Sequence, residues 1–251
     1  MKTHHPSTSS SSKTQLENCH SYILRQLQSA YKPYSHGKPP PGPAITISHQ
    51  TGSGAIEIAD QTGMILQETE PKDALPWTVF DRHLVEKALE EHHLPQALAK
   101  FMSEDRRSYI QDIMEELVGL RPPSWVMVPQ IAETVLHLAD VGHVILVGWG
   151  ANFITARMPN VFHVRLIASL PERIERVRKQ NHLSPEEAAD FIKKQDRARG
   201  RYVKTHFHVG IDDDLLYHLV INTDRIACPD AALLIANGAR MCFASDAGVR
   251  K

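Results

Sequence analysis

Cysteine is scarce in this 251-residue chain, and its three copies, Cys19, Cys228 and Cys242, stand far apart. That spacing excludes a disulfide framework or a paired-cysteine zinc site and suits a reducing cytoplasm. An excess of charge is lacking too: 28 Lys and Arg against 29 Asp and Glu give a net charge of -1. No domain-wide basic surface for nucleic acid is therefore expected, and any contact with a polyanion must come from local basic stretches. No segment approaches the run of about 18 apolar residues that a membrane span needs. The opening MKTHHPSTSSSSKTQ holds no apolar core for a signal peptide, so neither export nor membrane insertion is expected. Internal repeats are absent as well.

What remains is enough for one α/β domain of about 200 residues with an appendage. Residues 1–14, rich in Ser, Thr and His, read as a disordered tail, with His4 and His5 solvated rather than metal-bound. Leu16, Cys19, Ile23, Leu27 and Ala30 then recur at helical spacing and predict an amphipathic helix over 15–32. Its narrow apolar stripe is expected to dock on the main domain or to form a dimer contact. Residues 33–43, PYSHGKPPPGP, are a stiff proline-rich linker.

The main domain is placed at 44–245. Apolar runs at 44–48, 77–80, 143–148, 161–168 and 218–223 lack period-2 polarity, as strands covered on both faces do. Helical patterns alternate with them at about 54–66, 82–93, 105–118, 129–140, 171–181, from Ser184 onward, and at 229–240. The S-P-E-E run at Ser184 supplies an N-cap, a first-turn proline and Glu187 to complete a capping box. The expected fold is a doubly wound, mainly parallel sheet of five strands, with its ligand outside the carboxyl ends of the strands.

The first strand runs into SHQTGSGAIEIA, a glycine turn at the head of a helix. Free amides and the helix dipole make such a place an anion site, although a tight structural turn would use the same glycines, Gly52 and Gly54. Against the standard loop G-x-x-x-x-G-K-[ST], His49 takes the first glycine's place, Ala55 the lysine's and Ile56 that of the metal-binding hydroxyl, with Glu57 following. The charge that normally reaches the β- and γ-phosphates must come from elsewhere.

A cationic segment, QDRARGRYVK, offers it. Arg197 and Arg201 lie one turn apart on a shared helix face, with Arg199 and Lys204 close by. The structural alternative is a solvated face paired with Asp190 and Asp196. His206 and His208 have no third ligand at a telling spacing, and Asp212, Asp213 and Asp214 read as lid contacts or caps, so no metal site is assigned to protein ligands.

Together, AITISHQTGSGAIEIA, TVFDRHLVEKALE, VILVGWGANFITA, FHVRLIASLPERIERV, QDRARGRYVK and DDLLYHLVINTDR resemble the cytidylate kinase-like family of P-loop proteins over residues 44 to 240. The resemblance implies a nucleoside-monophosphate kinase fold, ATP or another NTP as donor with Mg²⁺, and a nucleotide-like acceptor. It implies donor contacts at Gly52, Ser53, Gly54, Ala55, Ile56, Glu57, Arg199 and Lys204, with Asn222 and Asp224 near the donor base. Acceptor contacts fall on His49, Asp81, Arg82, Gly148, Trp149, Gly150 and Asn152. Asp81 can also act as a helix cap, and Asn222 with Asp224 can make an ordinary turn. The family pattern S-R-x-x-G-S-G has His49 here in place of arginine, and its G-R-G has Trp149, which either stacks on a base or fills space. Each swap removes a permanent cation, since a histidine of ordinary pKa near 6.5 is only partly charged at neutral pH.

The leading functional expectation is a phosphotransferase moving the γ-phosphoryl group to a nucleoside monophosphate or related small acceptor, with Arg197 and Arg201 neutralising the transition state. The other expectations are a nucleotide-binding sensor or scaffold without catalysis, and transfer to a non-nucleotide acceptor.

Overall fold

β1 (Ala44–His49) shows why its sequence reads as a buried strand. Ile45 and Ile47 point to one face and Ala44 and Thr46 to the other, and all four are fully buried. The computed structural model describes residues 41–71, 74–81, 128–148 and 150–249. The tail, the helix expected at 15–32, most of the linker, the helices expected at 82–93 and 105–118, Arg82 and Trp149 lie outside the described residues.

After β1 come α1 (Ala55–Gln67), β2 (Thr78–Phe80), α2 (Val128–Val141), β3 (Val144–Val147), α3 (Ala151–Ile154) and β4 (Val161–Ile167). They are followed by α4 (Leu170–Asn181), α5 (Pro185–Phe207), a short 3-10 turn (Asp214–Leu216), β5 (Leu219–Asn222) and α6 (Cys228–Val249). The strands form one sheet in the order β2-β3-β1-β4-β5, and every pair in it is parallel. The doubly wound expectation holds. On one face α2 and α3 pack over Ala44, Phe80, Val144 and Leu146. On the other, α1 and α6 cover Ile45, Ile47, Ile145, Val164 and Leu166. Burial of both faces is what erased the polar alternation from these strands. The last helix runs to Val249, past the expected end at 240.

Two features of this frame position the site. β1 sits between β3 and β4 with α1 leaving from its carboxyl end, which opens a crevice where the connections diverge to opposite faces. α5 begins with the expected capping box: the Ser184 hydroxyl accepts the Glu187 N–H at 3.2 Å, and the Glu187 carboxylate accepts the Ser184 N–H at 2.8 Å. A small core of Val177, Ala188 and Ile192 fastens the first half of α5 to α4. The whole helix is about 34 Å long, and its second half extends along the crevice.

Candidate functional site

The turn between β1 and α1 takes its shape from two glycines in the left-handed region, Gly52 at φ 83 and Gly54 at φ 83. Gly54 is the N-cap of α1 and no side chain caps that end, so the first-turn amides of Ala55, Ile56 and Glu57 are open to an anion. The Ser53 hydroxyl in the same turn is fully buried and has no hydrogen-bond partner. Gly52 also answers to packing, because a Cβ there would lie 2.7 Å from the Arg173 carbonyl oxygen of α4. Gly52→Ala therefore adds steric overlap to the left-handed penalty. It is expected to cost at least about 2 kcal/mol, read as a fall in the thermal denaturation midpoint.

α4 and α5 bring arginines to this turn. Arg199 donates to the His49 carbonyl at 3.2 Å and to the Thr51 hydroxyl at 3.0 Å. Arg176 donates to the Thr223 carbonyl and hydroxyl, both at 2.9 Å, and approaches the Gly52 carbonyl at 3.4 Å. Arg173 pairs with Asp196. Asp196 in turn accepts the Thr51 N–H at 2.9 Å and the Thr51 hydroxyl at 2.7 Å, and lies 3.3 Å from Arg199. Burial works to raise the Asp196 carboxyl, but Thr51 and Arg173 outweigh it and hold it below the ordinary carboxylate range. One carboxylate thus joins the turn to both α4 and α5.

Beside the turn lies a cavity of about 470 Å³ whose walls include Ser48, His49, Asp81, Gly148, Gly150 and Arg199. Six residues nominated from sequence, from four separate segments, do meet here: His49, Asp81, Gly148 and Gly150 of the expected acceptor contacts, and Ile56 and Arg199 of the expected donor contacts. Asn152 is buried in α3 and does not line the cavity. Asn222 and Asp224 make a turn, the Asp224 N–H donating to Asn222 at 3.0 Å, and the Asp224 carboxylate accepts the Ser169 N–H at the head of α4 at 2.8 Å.

Arg197 and Arg201 share a face, as expected, but it is the outer one. Together with Asp190, Lys193 and Lys194 they line a separate groove of about 400 Å³, and Lys204 is exposed. At 100° per residue, positions 192, 196, 199 and 203 face α4 and the β1–α1 turn, and 190, 194, 197 and 201 face away. In this conformation the guanidinium of α5 that reaches the turn belongs to Arg199.

His49 is also unlike its sequence expectation of partial charge. Loss of surrounding water, then the positive charge of Arg199, push its pKa down to about 3, so the ring is neutral at neutral pH. Its Nδ1 lies 3.1 Å from the Gln50 carbonyl, an acceptor, so Nδ1 carries the proton and Nε2 is left as a hydrogen-bond acceptor. A donor of the family pattern has become an acceptor.

Burial likewise pushes His137 and His163 down to about 4. With folded pKa values depressed below the unfolded 6.5, these groups contribute stability that is complete above pH 6.5 and is lost as pH falls towards 4. Each adds a slope of up to about 1.4 kcal/mol per pH unit in that window. Urea denaturation midpoints between pH 7 and 4.5 should fall accordingly, and His163→Gln should flatten the fall.

The sequence profile of the cytidylate kinase-like family matches residues 44–225. This chain belongs to that family. Among solved structures, an uncharacterized protein from Eubacterium ventriosum is 16% identical, with 79% of this chain and 98% of that one covered at a TM-score of 0.52. TT1252 from Thermus thermophilus is 20% identical, with 79% and 97% covered at a TM-score of 0.40. The first likeness supports the fold. No curated protein matches the sequence significantly.

Set beside the family pattern, Arg173, Arg176, Thr51 and the bridging role of Asp196 were missed in the sequence. The i, i+3 spacing of Arg173 and Arg176 on an otherwise polar helix was the available signal, since it puts both on one face. Among the described residues no three His, Cys, Asp or Glu side chains gather as a metal site.

Proposed function

We propose that this member of the cytidylate kinase-like family is a phosphotransferase that moves the γ-phosphoryl group of ATP or another NTP to a nucleoside monophosphate or related small acceptor. The observation that carries the proposal is the placement of Arg199: a cation delivered by α5 to a turn that has Ala55 where lysine usually stands.

The turn fits a polyphosphate, with left-handed glycines, open first-turn amides and the orphaned Ser53 hydroxyl. The fit to Mg²⁺ is narrower, because Ile56 replaces the usual hydroxyl and Glu57 is the oxygen-bearing side chain in the first turn of α1. When bound, the metal supplies charge neutralisation on the β- and γ-phosphates.

In the reaction, an acceptor oxygen forms a bond to the γ-phosphorus while the bond from phosphorus to the β,γ-bridging oxygen breaks, and a nucleoside diphosphate leaves with that electron pair. A monophosphate acceptor is already ionised, so no protein base has to remove a proton. The work left to the chain is positioning and charge. Turn amides would seat the donor, Arg199 would offset charge on the transferring group, and the 470 Å³ cavity would hold the acceptor between Asp81 and the turn at Gly148.

The neutral His49 and the missing lysine favour a second reading, a nucleotide-binding sensor that does not transfer. ADP release, followed over a panel of nucleoside monophosphates with ATP and Mg²⁺, separates the two. Turnover above an Arg199→Ala control supports transfer, and ATP binding without turnover selects the sensor.

A further inference from the structure

Arg165 was not anticipated as a site residue, and its surroundings are unusual. It lies on β4 in register with Ser48 of β1, and only 3% of the residue is exposed. One guanidinium nitrogen donates to the Ser48 hydroxyl at 2.8 Å and another to the Asp212 carboxylate at 2.6 Å. Its Nε, also buried, has no hydrogen-bond partner. The Tyr217 ring stands 5.9 Å from the guanidinium carbon, and the Tyr217 hydroxyl donates to the Ile211 carbonyl at 2.8 Å.

The pair is lopsided. The Arg165 side chain is 4% exposed and the Asp212 side chain 78% exposed. A buried guanidinium is costly to leave unpaired, whereas an exposed carboxylate on a connecting segment loses little by turning into water. Both adjoin the wall of the cavity, Arg165 through its hydrogen bond to Ser48 and Asp212 as the chain neighbour of Ile211, which are wall residues. They also stand beside the position where the family has an arginine and this chain has neutral His49, whose ring feels the Arg165 charge. The cation lost at position 49 thus has a counterpart one strand away.

We propose that Arg165 anchors a phosphate subsite at the side of the cavity, and that the Asp212 carboxylate occupies it as an internal stand-in that an incoming phosphate group displaces. The Ser48 hydroxyl gives the subsite a second anchor. This rests on the acceptor reading above and names the contact for the acceptor's phosphate.

The test is calorimetric titration of inorganic phosphate into the full chain, with ATP titrated separately. Asp212→Asn keeps the shape of the exposed side chain while removing the competing charge, and it should bind phosphate at least about tenfold more tightly than the original chain. Asp212→Asn combined with Arg165→Met should lose that gain. Because Arg165→Met risks the fold, the ¹⁵N resonance of the Arg165 guanidinium in the Asp212→Asn chain serves as a second readout and should shift on phosphate addition. Unchanged phosphate affinity in Asp212→Asn, or a still Arg165 resonance, overturns the subsite and leaves Asp212 a structural clasp. Failure of ATP to bind would instead sink the phosphotransferase reading and leave the subsite standing.

Discussion

Arg199→Ala should lower phosphoryl transfer at least about a hundredfold, while Arg197→Ala and Arg201→Ala should change it by no more than roughly twofold. Arg199 hydrogen-bonds the backbone of the phosphate turn and lines the cavity, whereas the other two line the outer groove of α5. In a turn without lysine, the cation nearest the transferring group has no substitute from α5. Arg199→Lys keeps the charge but not the fork that reaches the His49 carbonyl and Thr51 hydroxyl together, so it should recover only part of the rate. Steady-state rates with saturating ATP decide the matter. A collapse on removing Arg197 and Arg201 with Arg199 dispensable would mean that α5 presents its other face during turnover.

Asp196→Ala should cost about 3 kcal/mol of stability, or roughly 6–12 °C in melting temperature for a domain of this size. The Arg173 side chain is 10% exposed and would be left without its carboxylate. The Thr51 N–H and hydroxyl lose their acceptor as well. Asp196→Asn should cost less, since one amide oxygen still accepts from Thr51. Both variants should also weaken ATP binding, because the phosphate turn is no longer tied to α4 and α5. A melt unchanged in Asp196→Ala would show that the network contributes nothing beyond its geometry.

How much of this was legible beforehand follows from the range of the interactions involved. The capping box at Ser184 spans three residues and could be read outright. The strands were legible because both faces of β1 and β4 are covered, so apolar runs mark them without any knowledge of their neighbours. The glycine turn was legible from Gly52 and Gly54, but its second constraint, the approach of the Arg173 carbonyl, was not. For the cationic segment, periodicity correctly put Arg197 and Arg201 on one face. It could not say which face turns to α4 and the glycine turn, because polar residues surround both, and the small core at Ala188 and Ile192 decides the rotation.

The order of the five strands, their two-sided burial and the loss of the loop lysine were determined by the sequence alone, since each is a local pattern or a residue identity. The neutral state of His49, the choice of Arg199 over its neighbours, and the meeting of Arg165 with Asp212 were decided only by tertiary structure. Thr51 and Asp196 are 145 positions apart, and Arg165 and Asp212 are 47. Which charges lose water, and which partners then answer them, depends on packing between segments that no short stretch of chain encodes.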